Sequence, residues 1–87
     1  MINTQFLTVI VVSGQTKQTF EVDWIEIEAP NGSFVVCPGH FNIVSQIKNN
    51  SEILLKNRSG AVSTLQIPCG LLLVQDGHLV TVMILNN

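Results

Sequence analysis

Gly32-Ser33-Phe34-Val35-Val36-Cys37-Pro38-Gly39-His40 is an apolar run held between two turns, one opened by Asn31-Gly32 and one closed by Pro38-Gly39. Glycine supplies positive φ, and proline fixes φ while withholding a ladder hydrogen bond, so both ends of the run are stops. A short apolar run between such stops reads as a strand.

The same grammar extends outward in both directions. Short hydrophobic runs alternate with clusters of Gly, Asn, Ser, Asp and Pro, and no long stretch keeps its apolar residues at helical spacing. Strands are predicted over 5–12, 17–22, 24–29, 33–37, 43–47, 52–56, 62–67, 71–75 and 79–85. Turns are predicted at Ser13-Gly14-Gln15, Pro30-Asn31-Gly32, Pro38-Gly39, Asn49-Asn50-Ser51, Asn57-Arg58-Ser59-Gly60 and Asp76-Gly77. Asp76-Gly77, between two apolar runs, is the strongest hairpin signal. Cys69-Gly70-Leu71-Leu72-Leu73-Val74 reads as a glycine-led buried strand. Val22 and Trp24 share one face while Ile25 and Ile27 share the other, so a bulge or a change of sheet is expected at Trp24. The expected fold is all-β: a sandwich of two packed, mainly antiparallel sheets, nine to ten strands, little or no helix. A chain of 87 residues is expected to form a single domain over 1–87.

Apolar residues make up 46% of the chain and charged residues 11%, enough to build an interior and too little charge for a disordered tail. The net charge is −2 and the basic residues Lys17, Lys48, Lys56 and Arg58 are scattered. No basic stripe exists to neutralise a phosphate backbone, so nucleic acid is not an expected partner. A surface so poor in charge is expected to be covered in part by another protein, which makes the chain a subunit. The apolar run from Phe6 to Val12 lacks a basic leader and is far short of the roughly 20 residues that cross a bilayer, so no export or membrane span is expected. Asn31-Gly32-Ser33, Asn49-Asn50-Ser51 and Asn57-Arg58-Ser59 match the glycosylation triplet, but without a secretory signal they read as turns.

No nucleophile elbow, phosphate loop or metal-binding helix motif is present. No catalytic residue and no cofactor is therefore expected. Glu21, Asp23, Glu26 and Glu28 alternate like a solvent-facing row rather than a paired acid and base. Cys37 and Cys69 are expected to be reduced, largely buried thiols rather than a disulfide. Cys37, His40, Cys69 and His78 would have to bend a buried strand across a metal to bind zinc, so no metal site is expected. His40 is either a loop histidine bonding nearby backbone or a contact presented to a partner by a rigid turn. Trp24 is either a core plug at the sheet edge or an interface anchor.

From Val22 to Val82 the order of motifs resembles the β-sandwich domain of the epsilon subunit of F-type ATP synthases, called delta in mitochondria. The resemblance is carried by Ile25-Glu26-Ile27, Asn31-Gly32, Phe34–Val36, Pro38-Gly39-His40, Ile43-Val44, Gly70–Val74 and Val80-Thr81-Val82. It implies a noncatalytic sandwich at the foot of the rotor, packed on the gamma subunit and resting on the ring of c subunits. By position in the pattern, Ser33, Pro38, Gly39 and His40 would face the ring, and Ser13 and Ser45 would meet gamma. The implied location is peripheral, on the cytoplasmic face of the inner (plasma) membrane within the F1 sector. Val35 stands where the family often has glycine, Asn42 where proline is usual, Asn49-Asn50-Ser51 where a Pro-Gly turn is frequent, and Ser33 where an acid is common. The last predicted strand runs almost to Asn86-Asn87, so the resemblance implies the short form without a C-terminal helical hairpin. The alternative reading is a free-standing sandwich that binds a small ligand or a peptide on the rim formed by the turns at Pro38 and Asp76.

Overall fold

A computed structural model of the protein describes residues 6–85. Gln5, at the start of the first predicted strand, and Asn86-Asn87 lie outside them. The described residues form eight strands and no helix. In chain order these are β1 (Leu7–Ser13), β2 (Thr16–Ala29), β3 (Gly32–Val36), β4 (Ile43–Ile47), β5 (Ser51–Asn57), β6 (Val62–Ile67), β7 (Gly70–Gln75) and β8 (Leu79–Ile84). Among the described residues no helix is long and apolar enough to cross a membrane.

Hydrogen bonding runs in the order β4-β7-β8-β1-β2-β5-β6, with β3 also on β2. All pairs are antiparallel except β1 with β8. The strand count is eight rather than nine or ten because 17–22 and 24–29 are one strand of 14 residues, β2. Its first half pairs with β1 as far as Val22, and its second half pairs with β5 and β3. The register shifts between Val22 and Trp24, where the sequence alternation slips. A bulge adds a residue without ending the strand, so the ladder turns a corner and stays continuous. The result is one hydrogen-bonded ladder folded into two layers. One holds β4, β7, β8, β1 and the start of β2; the other holds β3, the end of β2, β5 and β6.

The bulge also sets the core. Val22 is buried before the shift, and Ile25 and Ile27 are buried after it, so both halves of β2 point inward. They meet Leu7, Val9, Val11, Leu72, Val74, Val80 and Val82 from one layer and Val36, Ile53, Leu55 and Ile67 from the other. Each fully buried Val, Leu or Ile side chain contributes about 1.5–3 kcal/mol relative to exposure. The buried polar residue Ser51 donates its hydroxyl to the Lys48 carbonyl at 2.6 Å. No buried side-chain nitrogen or oxygen among the described residues lacks a partner.

Candidate partner-binding surfaces

The two outer faces of the folded ladder differ in chemistry. On the β4-β7-β8-β1 layer, inward residues alternate with outward ones, and the outward set is largely aliphatic, with the uncharged polar residues Thr8, Gln46, Gln75 and Thr81 among it. The registers align Val44, Leu73, Thr81 and Ile10 in one row across the four strands. They align Gln46, Leu71, Met83 and Val12 in the next. Val44 is 73% exposed and the rest are half-buried or, like Met83, exposed. No charge appears in these rows until β2, where Lys17 stands opposite Val12. A sheet covered on both faces reads as a continuous apolar run rather than an alternating one, and β1, β7 and β8 read that way. Such a face has the composition of a contact surface.

On the opposite layer the outward residues are Trp24, Glu26 and Glu28 from β2, Glu52, Leu54 and Lys56 from β5, and Thr64 and Gln66 from β6. Lys48 Nζ lies 3.7 Å from Glu28 Oε2, and Gln66 Nε2 donates to Glu52 Oε2 at 2.6 Å. Half-buried Trp24 stands in this row, beside Lys56. This face is solvated and charged. Ser33 lies here, exposed, opposite Glu28. It lines a hollow of about 120 Å³ with Glu26, Glu28, Glu52 and Leu54.

Pro38, Gly39 and His40 follow the other end of β3 and form a tip with the Asp76-Gly77 turn. The Gly39 N–H donates to the Gly77 carbonyl at 2.7 Å, and the His40 N–H to the Cys37 carbonyl at 3.1 Å. Asn42 Oδ1 accepts the Asp76 N–H at 3.0 Å. His40 Nδ1 lies 2.7 Å from the Phe41 carbonyl, and the two rings stack at 4.4 Å. His78 Nδ1 lies 2.8 Å from the Asp76 carbonyl. Both imidazoles thus tie down backbone, while the Phe41 side chain projects at 71% exposure. The tip is stiff and ends in an aromatic ring.

Ser33 is not part of this tip, because the length of β3 separates it from Pro38. Ser13 ends β1, and Ser45 lies on the edge strand β4, with β7 and β8 between them. Both share the parity of inward residues, Ser13 with Val11 and Ser45 with Ile47, so they belong to the inner side of the sheet and not to the aliphatic face. Cys37 and Cys69 are both free. Cys37 is exposed, against the expectation of a buried thiol, because it follows the inward Val36. Cys69 precedes β7 and the tip follows it, so the four residues weighed for zinc are not brought together. Among the described residues no three His, Cys, Asp or Glu side chains group as a metal site. No sequence motif marks Phe41 as part of the tip, although it directly follows the Pro-Gly-His turn.

These features define a class, an all-β folded ladder with one aliphatic face, one charged face and a stiff tip. The particular fold is found in solved ATP synthase structures. A chain of the Euglena gracilis mitochondrial ATP synthase assembly of OSCP, F1 and c-ring superposes with a TM-score of 0.87 at 18% identity, over 95% of this chain and 52% of that one. A chain of the Tetrahymena thermophila mitochondrial ATP synthase central stalk and c-ring gives 0.73 at 13% identity, over 98% of this chain and 67% of that one. This chain thus spans about half the length of the Euglena chain. No family model and no curated protein matches the sequence. The likeness lies in the fold, and it agrees with the resemblance drawn from the ordered motifs.

Proposed function

We propose that the chain is a noncatalytic central-stalk subunit of an F-type ATP synthase, joining the gamma subunit to the c-ring and so coupling proton flow to ATP synthesis. The observation that carries this reading is the fold likeness over nearly the whole chain to chains of ATP synthase assemblies. The aliphatic face supplies the means. Leu71, Leu73, Ile10, Val12 and Met83 pack on gamma, and Ser13 and Ser45, which have the inward parity, stand apart from that contact. Pro38, Gly39 and His40, with Phe41, rest on the ring, and Ser33 stands apart from that contact. The protein is peripheral, on the cytoplasmic face of the membrane within the F1 sector.

The mechanism asks for stiffness and no bond chemistry. Torque passed between two large bodies is lost in any soft link, and a close-packed interior has low compressibility. The core is aliphatic and continuous through both layers, so the element transmits load as one body. Removing the chain from an assembled complex tests the proposal: hydrolysis should continue while proton pumping is lost. Pumping that stays fully coupled would overturn it.

A further inference from the structure

Among the described residues the last strand of the ladder, β6, is an open edge without the usual protection. Natural sheets blunt such edges with lysine, proline, a bulge or a covering segment. β6 reads Val62-Ser63-Thr64-Leu65-Gln66-Ile67, with no charge and no proline. Nothing among the described residues pairs with its outer side. At the other end of the ladder, β4 is tied to β2 by the Lys48 N–H donating to the Glu28 carbonyl at 2.7 Å. β6 has no such tie.

Which backbone groups face outward follows from the β5–β6 hairpin. The Asn57 N–H donates to the Ala61 carbonyl at 2.8 Å, so that pair is hydrogen-bonded. Antiparallel pairs alternate between bonded and non-bonded. Ser63, Leu65 and Ile67 therefore bond to β5, and Val62, Thr64 and Gln66 turn their N–H and C=O groups outward. We propose that β6 is a self-pairing edge: two copies of this chain join antiparallel through β6 about a two-fold axis at Thr64. Thr64 then bonds to the Thr64 of the second copy, and Val62 to its Gln66.

The charges beside the edge suit this arrangement. Lys56 sits next to Val62 and Glu52 next to Gln66 on the same outer face. Two-fold pairing puts Lys56 of one copy in the row of Glu52 of the other, with Leu54 and Thr64 at the centre, so no like charges meet. Such symmetric self-complementarity is what a closed two-chain interface requires. The aliphatic face lies on the other layer and stays free, so this inference does not depend on the proposed function.

Amide hydrogen exchange on the full chain, read with sedimentation, tests it. Raising the concentration from about 10 μM to about 1 mM should slow exchange at Val62, Thr64 and Gln66 at least about tenfold. Ser63 and Leu65, bonded to β5 in either state, should stay protected throughout. Thr64→Lys should give a monomer at both concentrations, and Leu73→Glu should leave the dimer intact. Equal exchange at Val62, Thr64 and Gln66 at both concentrations, with a monomer by sedimentation, would overturn the proposal. So would a dimer that survives Thr64→Lys and is lost in Leu73→Glu. If Thr64→Lys does not fold, the wild-type exchange pattern decides.

Discussion

Gly39 and Gly77 fasten two turns to each other across one end of the molecule, through an N–H to carbonyl bond of 2.7 Å. Both have positive φ, 92° and 75°. A Cβ on Gly77 would meet Gly39 Cα at 3.5 Å, an ordinary contact, and one on Gly39 would meet nothing within 4 Å. The constraint at Gly39 is therefore backbone conformation rather than space. Gly39→Val should cost on the order of 1–2 kcal/mol. His40→Ala removes the ring contacts to Phe41 and should cost about 1 kcal/mol or less. Urea unfolding midpoints check the order, and the glycine variant should also assemble less well. Equal loss in both would show that the turn conformation does not set the tip.

Gly70 is held by space instead. A Cβ there would lie 2.7 Å from the Met83 carbonyl oxygen and 3.1 Å from Ile67 Cγ2. The first atom is backbone in the β7–β8 pair and cannot swing aside. Gly70→Ala should destabilise by about 1–3 kcal/mol, the usual cost of overpacking. Denaturant unfolding reads it directly, and a neutral result would mean that β8 shifts freely at this end.

Core and surface contributions should separate cleanly. Ile27 is fully buried, so Ile27→Ala should cost about 2–5 kcal/mol. Lys48 and Glu28 pair across partly exposed side chains, 57% and 43% exposed, so solvent screening leaves Lys48→Ala within about 1 kcal/mol. A larger loss for Lys48 than for Ile27 would contradict the assignment of stability to the aliphatic interior.

The two faces should respond in opposite ways. Leu73→Glu places a charge amid Val44, Thr81 and Ile10. Leu73 lies outside the buried core, so the isolated chain should stay folded, yet the change should release it from its partner. Glu52→Gln on the charged face should leave retention unchanged. Copurification of both variants with the complex checks this, and reversed sensitivity would assign the contact to the other face.

The strands and turns were legible because each carries a local cause. Asp76-Gly77 turns where expected, with φ of 57° and 75°, and the slip of phase at Trp24 is a bulge. The continuity of β2 through that bulge was not legible, since a phase slip looks the same whether a strand ends or bends. The fate of the outward aliphatics Leu71, Leu73 and Ile10 was hidden for a related reason. Continuous apolar runs say that both faces want cover, but not which lies outside. The family pattern groups Ser33 with His40, but a strand keeps its two ends apart. Phe41 follows His40 directly, yet only the folded turn shows its ring outside.

Cross-linking from the aliphatic face in native membranes tests the central claim most directly. A photoreactive residue at Leu73, followed by gentle solubilisation and mass spectrometry, should join this chain to the gamma subunit in a complex that retains the catalytic subunits and the c-ring. Recovery of the chain alone, or joined only to proteins outside the ATP synthase, would contradict the account.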